Sequence, residues 1–461
     1  MTSTYTRGGS AEGSGRIHYA NGLIFDDDFE AGNLGSVRCV SDLGHGQAEY
    51  EISIRPDTNA PRYRLWFYFR VRANPAERGS SSSESSRRVV FTIVNFSKTK
   101  SLYRDGMSPL VRSTSRPRWE RIPRRSVFFF RSTKHRGGGG SGASAAFVMS
   151  FVFSFDRLNS REEYFFAYSY PFTYTEQQRY LARLEAQRLP FVRRELLCRS
   201  VQGRRVDVVF IDEDLDGTGR RLAAKSSTCV GGGGGVESNM KRNPGALNGA
   251  ATDKRMGRTS GCGEPSSMAA EQHRMQHELR RSKPTVVVVG RVHPGETPAS
   301  FVVKGFLDFI TSATDRDAER LRREVSFVVV PMLNPDGTFI GNYRTCSLGI
   351  DHNRRWAKPT HAMEPSLIAV KELITRLRAN GGVDFFIDVH AHSTARHGFV
   401  LCNPPPAAAV RNATEAEQSQ RYDTATIHHH HSAMHLLVYC SLLCTRIECY
   451  CTCVCMCVCE I

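Results

Sequence analysis

The chain has 461 residues, of which 62 are Lys or Arg and 46 are Asp or Glu, so its formal net charge at pH 7 is +16. This length and a hydrophobic content of 40% suffice for two or three domains with buried cores, and the charge favours an acidic partner. No apolar run of about 18 residues could span a bilayer, and the polar, glycine-rich residues 1–16 do not resemble a secretory signal. We therefore expect a soluble cytoplasmic protein with no membrane partner and with a disordered tail at residues 1–16.

Residues 17–175 are predicted to form an N-terminal antiparallel β-sandwich. Short segments rich in aromatic and β-branched residues follow one another, separated by turn-forming or low-complexity stretches. These segments are EYEISIRP, RLWFYFRVR, RVVFTIVNF, SVFFFRS, AAFVMSFVFSF and EEYFFAYSYPF. No helical pattern interrupts them, which is typical of two packed sheets.

Residues 176–403 have the pattern of an α/β domain. After a helical stretch, TYTEQQRYLARLEAQRL, and the strand RRVDVVFID, three continuous apolar strands alternate with two amphipathic helices. The strands are TVVVVG, SFVVVPML and VDFFIDVH, and the helices are PASFVVKGFLDFITSA and EPSLIAVKELITRLRAN. This alternation predicts a mixed, mainly parallel sheet that is buried on both faces. Residues 213–283, which contain GGGGG and few large apolar residues, are predicted to be a disordered insertion.

The stretch GRVHPGETPAS follows the four valines of the first apolar strand and contains His293 and Glu296. Thr297 is predicted to be the N-cap of the next helix, with Pro298 in its first turn. Glycine and proline between His293 and Glu296 can direct both side chains to one point. An isolated pair of this kind is most often an ordinary strand-to-helix turn, so other residues must decide whether it is a site.

A second histidine at the same edge of the sheet supports a metal site. The third apolar strand ends in Asp388-Val389-His390-Ala391-His392-Ser393, and the carboxyl ends of parallel strands meet at one edge. Two imidazoles and one carboxylate, with a fourth position open to water, are the protein ligands of a catalytic zinc ion. His392 is an alternative ligand because alternate strand residues face the same way, but His390 is favoured because it lies nearer the end of the strand.

Residues 334–356, NPDGTFIGNYRTCSLGIDHNRRW, add cations to this edge. The NPDG tetrapeptide is predicted to be a turn, and Arg344, Asn353 and Arg354 follow it. Alone, this would be a polar loop with solvated arginines. Beside a zinc site, the guanidinium groups could hold a carboxylate through paired hydrogen bonds.

Residues 404–461 are predicted to be a low-complexity tail that contains eight of the 14 cysteines, between Cys440 and Cys459. Alternating Cys-x-Cys could bind soft metals. Alternating Cys-Val is also what a TG dinucleotide repeat encodes in one frame. We favour the second interpretation, a mispredicted exon or read-through in place of the true C-terminus.

The segments HPGETPAS, NPDG, GNYR, DxNRxW and DxHxHS, in this order, resemble the M14 zinc carboxypeptidases, and specifically the cytosolic carboxypeptidase (ATP/GTP-binding-protein-like) family. The segments FDDDFEAGNLG, WFYFRV and YFFAYSYPFTYT are similar to the β-sandwich that precedes the peptidase domain in that family. The resemblance covers roughly residues 17–212 and 284–403.

The resemblance implies a role for each matching residue. The ligands of one zinc ion would be His293, Glu296 and His390, and Asp351 would orient His293 from behind. Arg344 would polarise the scissile carbonyl, while Asn353 and Arg354 would bind the terminal carboxylate of the substrate.

The implied activity is metal-assisted hydrolysis that removes C-terminal glutamates from polyglutamylated tubulin or other acidic tails. The implied location is the cytoplasm, on microtubules or cilia. The family also needs a general-base glutamate from a strand well beyond the last zinc histidine, and none of the four later glutamates (Glu415, Glu417, Glu448 and Glu460) has a matching context.

We therefore expect a metallocarboxypeptidase with an incomplete peptidase domain, and the missing glutamate leaves open whether the chain as written is active. The alternative is a non-catalytic relative that binds acidic tails. An aspartoacylase-like amidohydrolase shares the HxxE…H set, but the NPDG, GNYR and DxNR segments and the N-terminal sandwich argue against it. Nucleic acid is not an expected partner, since no RNP, zinc-finger or helix-turn-helix signature is present.

Overall fold

The computed structural model describes residues 17–44, 47–75, 87–136, 145–159, 161–215, 283–379, 382–395, 397–402 and 453–460. Its described residues up to Leu215 and from Pro284 onward belong to one compact unit. The predicted disordered tail, nearly all of the predicted insertion and residues 403–452 lie outside the described ranges. The domain boundaries drawn from the sequence therefore stay predictions.

The N-terminal half contains two sheets, as predicted. The first has six antiparallel strands in the order β1 (His18–Ala20), β2 (Leu23–Asp26), β5 (Tyr68–Ala73), β11 (Glu163–Ala167), β7 (Leu110–Ser113) and β8 (Glu120–Arg121). The second has five strands in the order β3 (Val37–Gly44), β4 (Gln47–Ile52), β6 (Arg87–Ile93), β10 (Ala145–Phe155) and β9 (Val127–Arg136). All pairs are antiparallel except β4 with β6, which are parallel, a pairing that the sequence did not predict.

Aromatic side chains hold these two sheets together. The ring of Phe91, on β6, lies 5.4 Å from that of Phe151 on β10 and 5.9 Å from that of Phe25 on β2. It also lies 6.1 Å from the ring of Phe69, on β5, and 5.3 Å from that of Phe166, on β11. Phe25, Phe69 and Phe166 all belong to the opposite sheet. All five side chains are fully buried, and each contributes about 1.5–3 kcal/mol by leaving water. The predicted sandwich is thereby confirmed.

The C-terminal half is built on one seven-stranded sheet, in the order β12 (Val192–Arg199), β13 (Arg205–Ile211), β15 (Ser326–Val330), β14 (Thr285–Gly290), β16 (Phe385–Ala391), β18 (Cys453–Glu460) and β17 (His397–Cys402). Its helices are α1 (Tyr174–Ala186), α2 (Thr297–Ile310), α3 (Arg316–Glu324), α4 (Pro335–Ile340) and α5 (Pro365–Ala379). The central strand β14 runs parallel to both β15 and β16. The mixed α/β fold is therefore confirmed, with parallel strands at its centre.

The tight packing of α2 on β14 explains the glycine that ends the valine run. A Cβ atom on Gly290 would come within 2.8 Å of a methyl group of Val303, on α2, and within 3.1 Å of the carbonyl oxygen of Pro331. Only glycine lets the helix approach this closely. The loop after Gly290 is thereby held against the sheet edge where the site residues lie.

The NPDG tetrapeptide begins a helix and does not form the isolated turn that the sequence predicted. Asn334 is the N-cap of α4, and its side-chain oxygen accepts a 3.1 Å hydrogen bond from the backbone N–H of Gly337. Pro335 occupies the first turn, where its missing N–H costs nothing. The helix ends after one and a half turns at Gly341, which has a left-handed φ of 79°.

Strand β18 comes from the stretch that we assigned to a low-complexity tail. Its backbone pairs antiparallel with β16 and parallel with β17, which places it between them. Within the described ranges, no helix has the length and apolar content needed to cross a membrane.

Candidate active site

The loop between β14 and α2 is held in shape by a buried arginine that the sequence analysis did not single out. Arg291 has a positive φ of 55°, and its guanidinium donates hydrogen bonds to the carbonyl oxygen of Pro294 (2.7 Å) and to the hydroxyl of Ser300 (2.8 Å). Complete burial lowers its pKa to about 9. The guanidinium thus ties the Pro-Gly loop to the start of α2, so that His293 and Glu296 lie on a fixed backbone.

His293, Glu296 and His390 converge at the carboxyl edge of β14 and β16. Nδ1 of His293 lies 2.9 Å from one carboxylate oxygen of Glu296, and Nδ1 of His390 lies 3.0 Å from the other. The three candidate ligand atoms are all within 4.8 Å of one another, and all three residues are buried. The loop itself brings His293 to Glu296, three residues apart, and the parallel pairing of β14 with β16 brings His390 to Glu296 across 94 residues.

A second carboxylate stands behind each imidazole. Nε2 of His293 lies 3.2 Å from Asp351, and Nε2 of His390 lies 2.8 Å from Asp388. A carboxylate only accepts hydrogen bonds when ionised, so these contacts favour a proton on Nε2 of each ring, and Nδ1 would supply the lone pair to a bound metal. The role of Asp388 was missed, although it lies within the quoted segment DVHAHS.

This donor set fits a metal ion. If each Nδ1 carries a lone pair, then two acceptors face the Glu296 carboxylate at about 3 Å, an arrangement that needs a positive charge between them. Without an ion, protons supply it: the neighbouring carboxylates outweigh burial and raise the pKa of His390 to about 11, and raise that of His293. Burial raises the pKa of Glu296, but the two imidazoles outweigh it, so its pKa is lowered. With an ion, the same atoms give two nitrogen ligands and one oxygen ligand, as zinc requires.

The structure distinguishes between the two histidines of the DVHAHS segment. His392 is exposed, and its Nδ1 accepts hydrogen bonds from the backbone N–H groups of Thr394 (3.3 Å) and Ala395 (2.8 Å). It belongs to a surface turn. His390 is the histidine that joins His293 and Glu296.

Thr297 is not the N-cap that the sequence predicted. The N-cap of α2 is Glu296, whose side chain makes no capping hydrogen bond. Its carboxylate instead faces the imidazoles and accepts a 3.0 Å hydrogen bond from the backbone N–H of Ala391. The Thr297 hydroxyl lies 2.9 Å from that of Ser169, which connects the helix start to the segment after β11.

Asp351 connects the metal-binding candidates to Arg344. One of its carboxylate oxygens faces His293, and the other accepts a 2.7 Å hydrogen bond from Nε of Arg344. Burial raises the pKa of Asp351, but these two partners outweigh it and lower the pKa. Asp351 therefore stays ionised and holds the guanidinium beside the cluster.

The two candidate carboxylate-binding residues lie at different depths. Asn353 is half-buried, and its Nδ2 is 3.5 Å from Nε2 of His390. Its side-chain oxygen accepts a 3.1 Å hydrogen bond from the indole of Trp356. Arg354 is exposed, and its guanidinium donates only to the backbone oxygen of Asn353 among the described contacts, at 3.2 Å. Asn353 thus borders the cluster, whereas the Arg354 side chain reaches the surface without contacting it.

The N-terminal sandwich contributes directly to this region, which the sequence did not predict. The buried carboxylate of Asp57 accepts hydrogen bonds from the backbone N–H groups of Tyr343 (2.6 Å), Arg344 (2.7 Å) and Thr345 (2.8 Å). The Tyr343 side chain packs in the hydrophobic core of the sandwich. Lys98, from the segment after β6, donates to the Tyr343 hydroxyl at 3.0 Å.

The backbone of strand β18 runs beside the histidine strand β16. Its backbone register pairs Cys455 with His390 and Glu460 with Phe385. Five residues of strand separate these two positions, or about 17 Å. The backbone of Glu460 thus lies away from that of His390, while Glu415, Glu417 and Glu448 lie outside the described residues.

Comparison with known proteins identifies the class that this fold and cluster define. The family model described as zinc carboxypeptidase matches residues 178–397. The solved structure of a metallo-carboxypeptidase from Burkholderia cenocepacia has a TM-score of 0.53 and 18% identity, with 94% of this chain and 90% of that chain covered, a likeness that shows the fold. A second family model, the cytosolic carboxypeptidase N-terminal domain, matches residues 25–133. The chain belongs to the cytosolic carboxypeptidase family.

Relatives from animals carry the same family name. Cytosolic carboxypeptidase 6 of Homo sapiens is 39% identical over 383 residues, which cover 83% of this chain and 59% of that protein. Cytosolic carboxypeptidase 6 of Caenorhabditis elegans is 33% identical over 395 residues, which cover 85% of this chain and 67% of that protein. The chain thus spans little more than half to two thirds of the length of these relatives.

Proposed function

We propose that the protein is a zinc metallocarboxypeptidase that removes C-terminal glutamates from polyglutamylated proteins such as tubulin. The observation that supports this most directly is the buried cluster in which Nδ1 of His293 and Nδ1 of His390 face the Glu296 carboxylate at 2.9 and 3.0 Å. In this proposal the three residues hold one zinc ion, which supplies Lewis acidity toward a carbonyl and toward water. The cytosolic relatives support a cytoplasmic location, with microtubules or cilia as the site of action.

Each of the other site residues has a proposed task. Arg344, held by Asp351 at 2.7 Å, directs a guanidinium at the negative charge that develops on the scissile carbonyl oxygen. Asn353, next to His390, and Arg354, at the surface, bind the terminal carboxylate of the substrate. For Arg354 this requires that the side chain swing in from its exposed position when the substrate binds.

The preference for glutamate is supported by the charge around the cluster and by the family. Arg344, Arg354 and Lys98 all lie on the segments that form or contact the site, and the chain as a whole has a net charge of +16. A cationic cleft attracts a polyanionic tail and raises its local concentration. The acidic tails of tubulin are substrates of this kind.

A second candidate function is that of a non-catalytic relative that binds glutamylated tails without cutting them. The observation in its favour is that the carboxylates in contact with the two imidazoles are Glu296, Asp351 and Asp388, each of which has a metal-binding or orienting role. The backbone of Glu460 pairs with Phe385, five residues from His390. Both functions require the same zinc ion and the same acidic ligand, and they differ only in turnover.

One experiment tests both functions. The full chain is purified with zinc, its zinc content is measured by atomic emission, and it is incubated with a peptide that ends in four glutamates. The proposal predicts one zinc ion per chain and release of free glutamate, both lost in His293→Ala and both retained in His361→Ala, which alters an exposed histidine. Bound zinc with peptide binding but without release would establish the non-catalytic function. A wild-type chain that retains no zinc would contradict both.

A further inference from the structure

Lys98 lies between the two segments that carry the proposed catalytic residues. Its ammonium donates hydrogen bonds to the hydroxyl of Tyr343 (3.0 Å) and to that of Ser393 (2.7 Å). Tyr343 directly precedes Arg344, and Ser393 follows His390 by three residues. A side chain of the N-terminal sandwich thus reaches the rim of the candidate active site.

Lys98 makes no ion pair with a carboxylate among the described residues, and its ammonium lies 5.2 Å from the centre of the Tyr343 ring. Both of its hydrogen-bond acceptors are neutral hydroxyls, and the side chain is half-buried. Burial and the nearby Arg344 guanidinium lower the pKa of Lys98, while the Glu296 carboxylate acts in the opposite direction. A cation that is partly removed from water without an ion pair costs free energy, which a lysine with a purely structural role would avoid by pairing with a carboxylate.

The ammonium also retains a donor for a ligand. An ammonium group has three N–H donors, and two of those of Lys98 are used by the hydroxyls. These hydroxyls belong to residues that line a pocket bordered by Glu296 and, on the side of the sandwich, by Leu102 and Met107. Lys98 does not itself line this pocket and adjoins it through the two hydroxyls that it binds. Neither Asn353 nor Arg354 lines the pocket. An anion bound here would therefore be a different group from the terminal carboxylate.

We propose that Lys98 binds a side-chain carboxylate of the substrate, on one of the two residues that flank the scissile bond. This inference rests on the proposed function, and it makes the N-terminal sandwich part of the substrate-binding site. The terminal residue and the penultimate residue could each supply the carboxylate. A peptide series that removes one charge at a time distinguishes these two sources.

The test measures binding to the zinc-loaded full chain. Fluorescein-labelled peptides with a reduced, uncleavable last peptide bond end in Glu-Glu, Gln-Glu, Glu-Gln or Gln-Gln, and Kd is measured by fluorescence anisotropy. For the wild type we expect one of the two single Glu-to-Gln changes to weaken binding about 10- to 100-fold, the effect of losing a charge-assisted hydrogen bond. The position of that change identifies the residue that Lys98 recognises.

Variants of Lys98 and Lys100 test whether Lys98 causes the preference for Glu over Gln. At the position that the wild type discriminates, Lys98→Met should bind peptides with Glu and with Gln equally well. Lys98→Arg should still prefer Glu at that position. Lys100→Met, which removes the charge of an exposed lysine two residues away, should behave as the wild type and controls for general charge effects.

Two negative results have different meanings. Unchanged discrimination in Lys98→Met would overturn the role of Lys98 and leave the proposed function intact. A wild-type chain that binds zinc but neither binds any of the four peptides nor releases glutamate would overturn the proposed function, and the role of Lys98 with it. Thermal melting of each variant checks that folding is retained.

Discussion

The carboxylate of Asp57 accepts a 2.7 Å hydrogen bond from the backbone N–H of Arg344, across 287 positions of the sequence. The same carboxylate accepts from the N–H groups of Tyr343 and Thr345 and from the Thr345 hydroxyl. Three consecutive backbone donors on one carboxylate fix the backbone of this segment, and with it the position from which the Arg344 side chain starts. The N-terminal sandwich is therefore a structural support for the candidate active site.

Asp57→Asn should destabilise the protein and misplace Arg344. An asparagine has a single acceptor oxygen and would turn an amide donor toward backbone donors, which leaves buried N–H groups unsatisfied at a cost of about 1–3 kcal/mol. We expect a melting temperature several degrees lower and slower glutamate release, with zinc content unchanged. Asp28→Asn, which alters an exposed aspartate in the same domain, should match the wild type in all three measurements.

If Asp57→Asn melted and turned over as the wild type does, the segment would be held by other contacts, such as the packing of Tyr343 in the sandwich core. A double variant with Tyr343→Ala would then separate the two contributions, since residues that support one segment do not contribute additively.

Periodicity predicted the elements that position the cluster. The valine run of β14, the apolar strands β15 and β16 and the amphipathic helices α2 and α5 all occur where the pattern indicated. Each is a long segment with a single dominant period, which is the signal that a sequence displays most clearly. Because parallel strands end at one edge, the approach of His390 to His293 followed from the same pattern.

The rules for helix N-caps and turns gave wrong predictions at two positions near the site. Thr297 is a good N-cap by residue type, yet Glu296 takes that position and directs its carboxylate to the imidazoles. The NPDG segment satisfies the rules for a turn, but Asn followed by Pro also satisfies those for an N-cap and first helical residue. Sequence alone cannot choose between two arrangements that share the same local chemistry.

Asp57 and Lys98 were missed for a different reason. Their contacts with the segment at 343–345 span 245 to 288 residues, and neither residue lies in a pattern that distinguishes it from a surface charge. Only the packing of the sandwich against the α/β domain makes them part of the site. The parallel pairing of β4 with β6 also joins segments that are distant in the sequence, and no local pattern predicts it.

Asp388→Asn should weaken zinc binding without abolishing it. The Asp388 carboxylate lies 2.8 Å from Nε2 of His390, so it fixes the tautomer and orientation in which Nδ1 is free to bind a metal. Loss of such a partner typically lowers metal affinity about 10- to 100-fold. Competition with a chelator of known affinity measures this change.

The control for Asp388→Asn is a variant that removes a proposed metal ligand. His390→Ala should reduce the zinc content of the purified protein, whereas Asp388→Asn should still bind one ion at saturating zinc. Equal zinc affinity in Asp388→Asn and the wild type would show that the orientation of His390 is set by its strand alone.

His352 should make the stability of the protein sensitive to pH below neutrality. Burial lowers its pKa to about 4, although Glu364, Asp351 and Asp336 act to raise it and His293 adds to the lowering. The unfolded chain, with a histidine pKa near 6.5, binds the proton more tightly than the folded chain. The contribution of His352 is therefore fully present above pH 6.5 and is lost as the pH falls toward 4, by about 2 kcal/mol between pH 7.5 and pH 5.

Urea unfolding at pH 7.5 and pH 5 gives the free energy of unfolding of the wild type and of each histidine variant. The contribution of His352 is the difference between them. His352→Gln should lose about 2 kcal/mol less than the wild type over this interval, because glutamine does not titrate. His361→Gln, at an exposed histidine, should lose as much as the wild type. A His352→Gln variant with the pH dependence of the wild type would mean that His352 is protonated in the folded protein at pH 5.

Gly295→Ala should disturb the loop and the Arg344 segment together. A Cβ atom at this position would lie 2.6 Å from the ring of Tyr343 and 3.0 Å from its Cα and carbonyl oxygen, to which Gly295 also donates a 2.7 Å hydrogen bond. The Tyr343 backbone cannot retreat easily, because its N–H is bound to Asp57. We expect a loss of about 1–3 kcal/mol of stability, as for other overpacked sites, and weaker zinc binding because His293 and Glu296 flank the loop. Unchanged thermal melting and zinc affinity in Gly295→Ala would contradict the close packing of these two segments, on which the link between the sandwich and the cluster of His293, Glu296 and His390 depends.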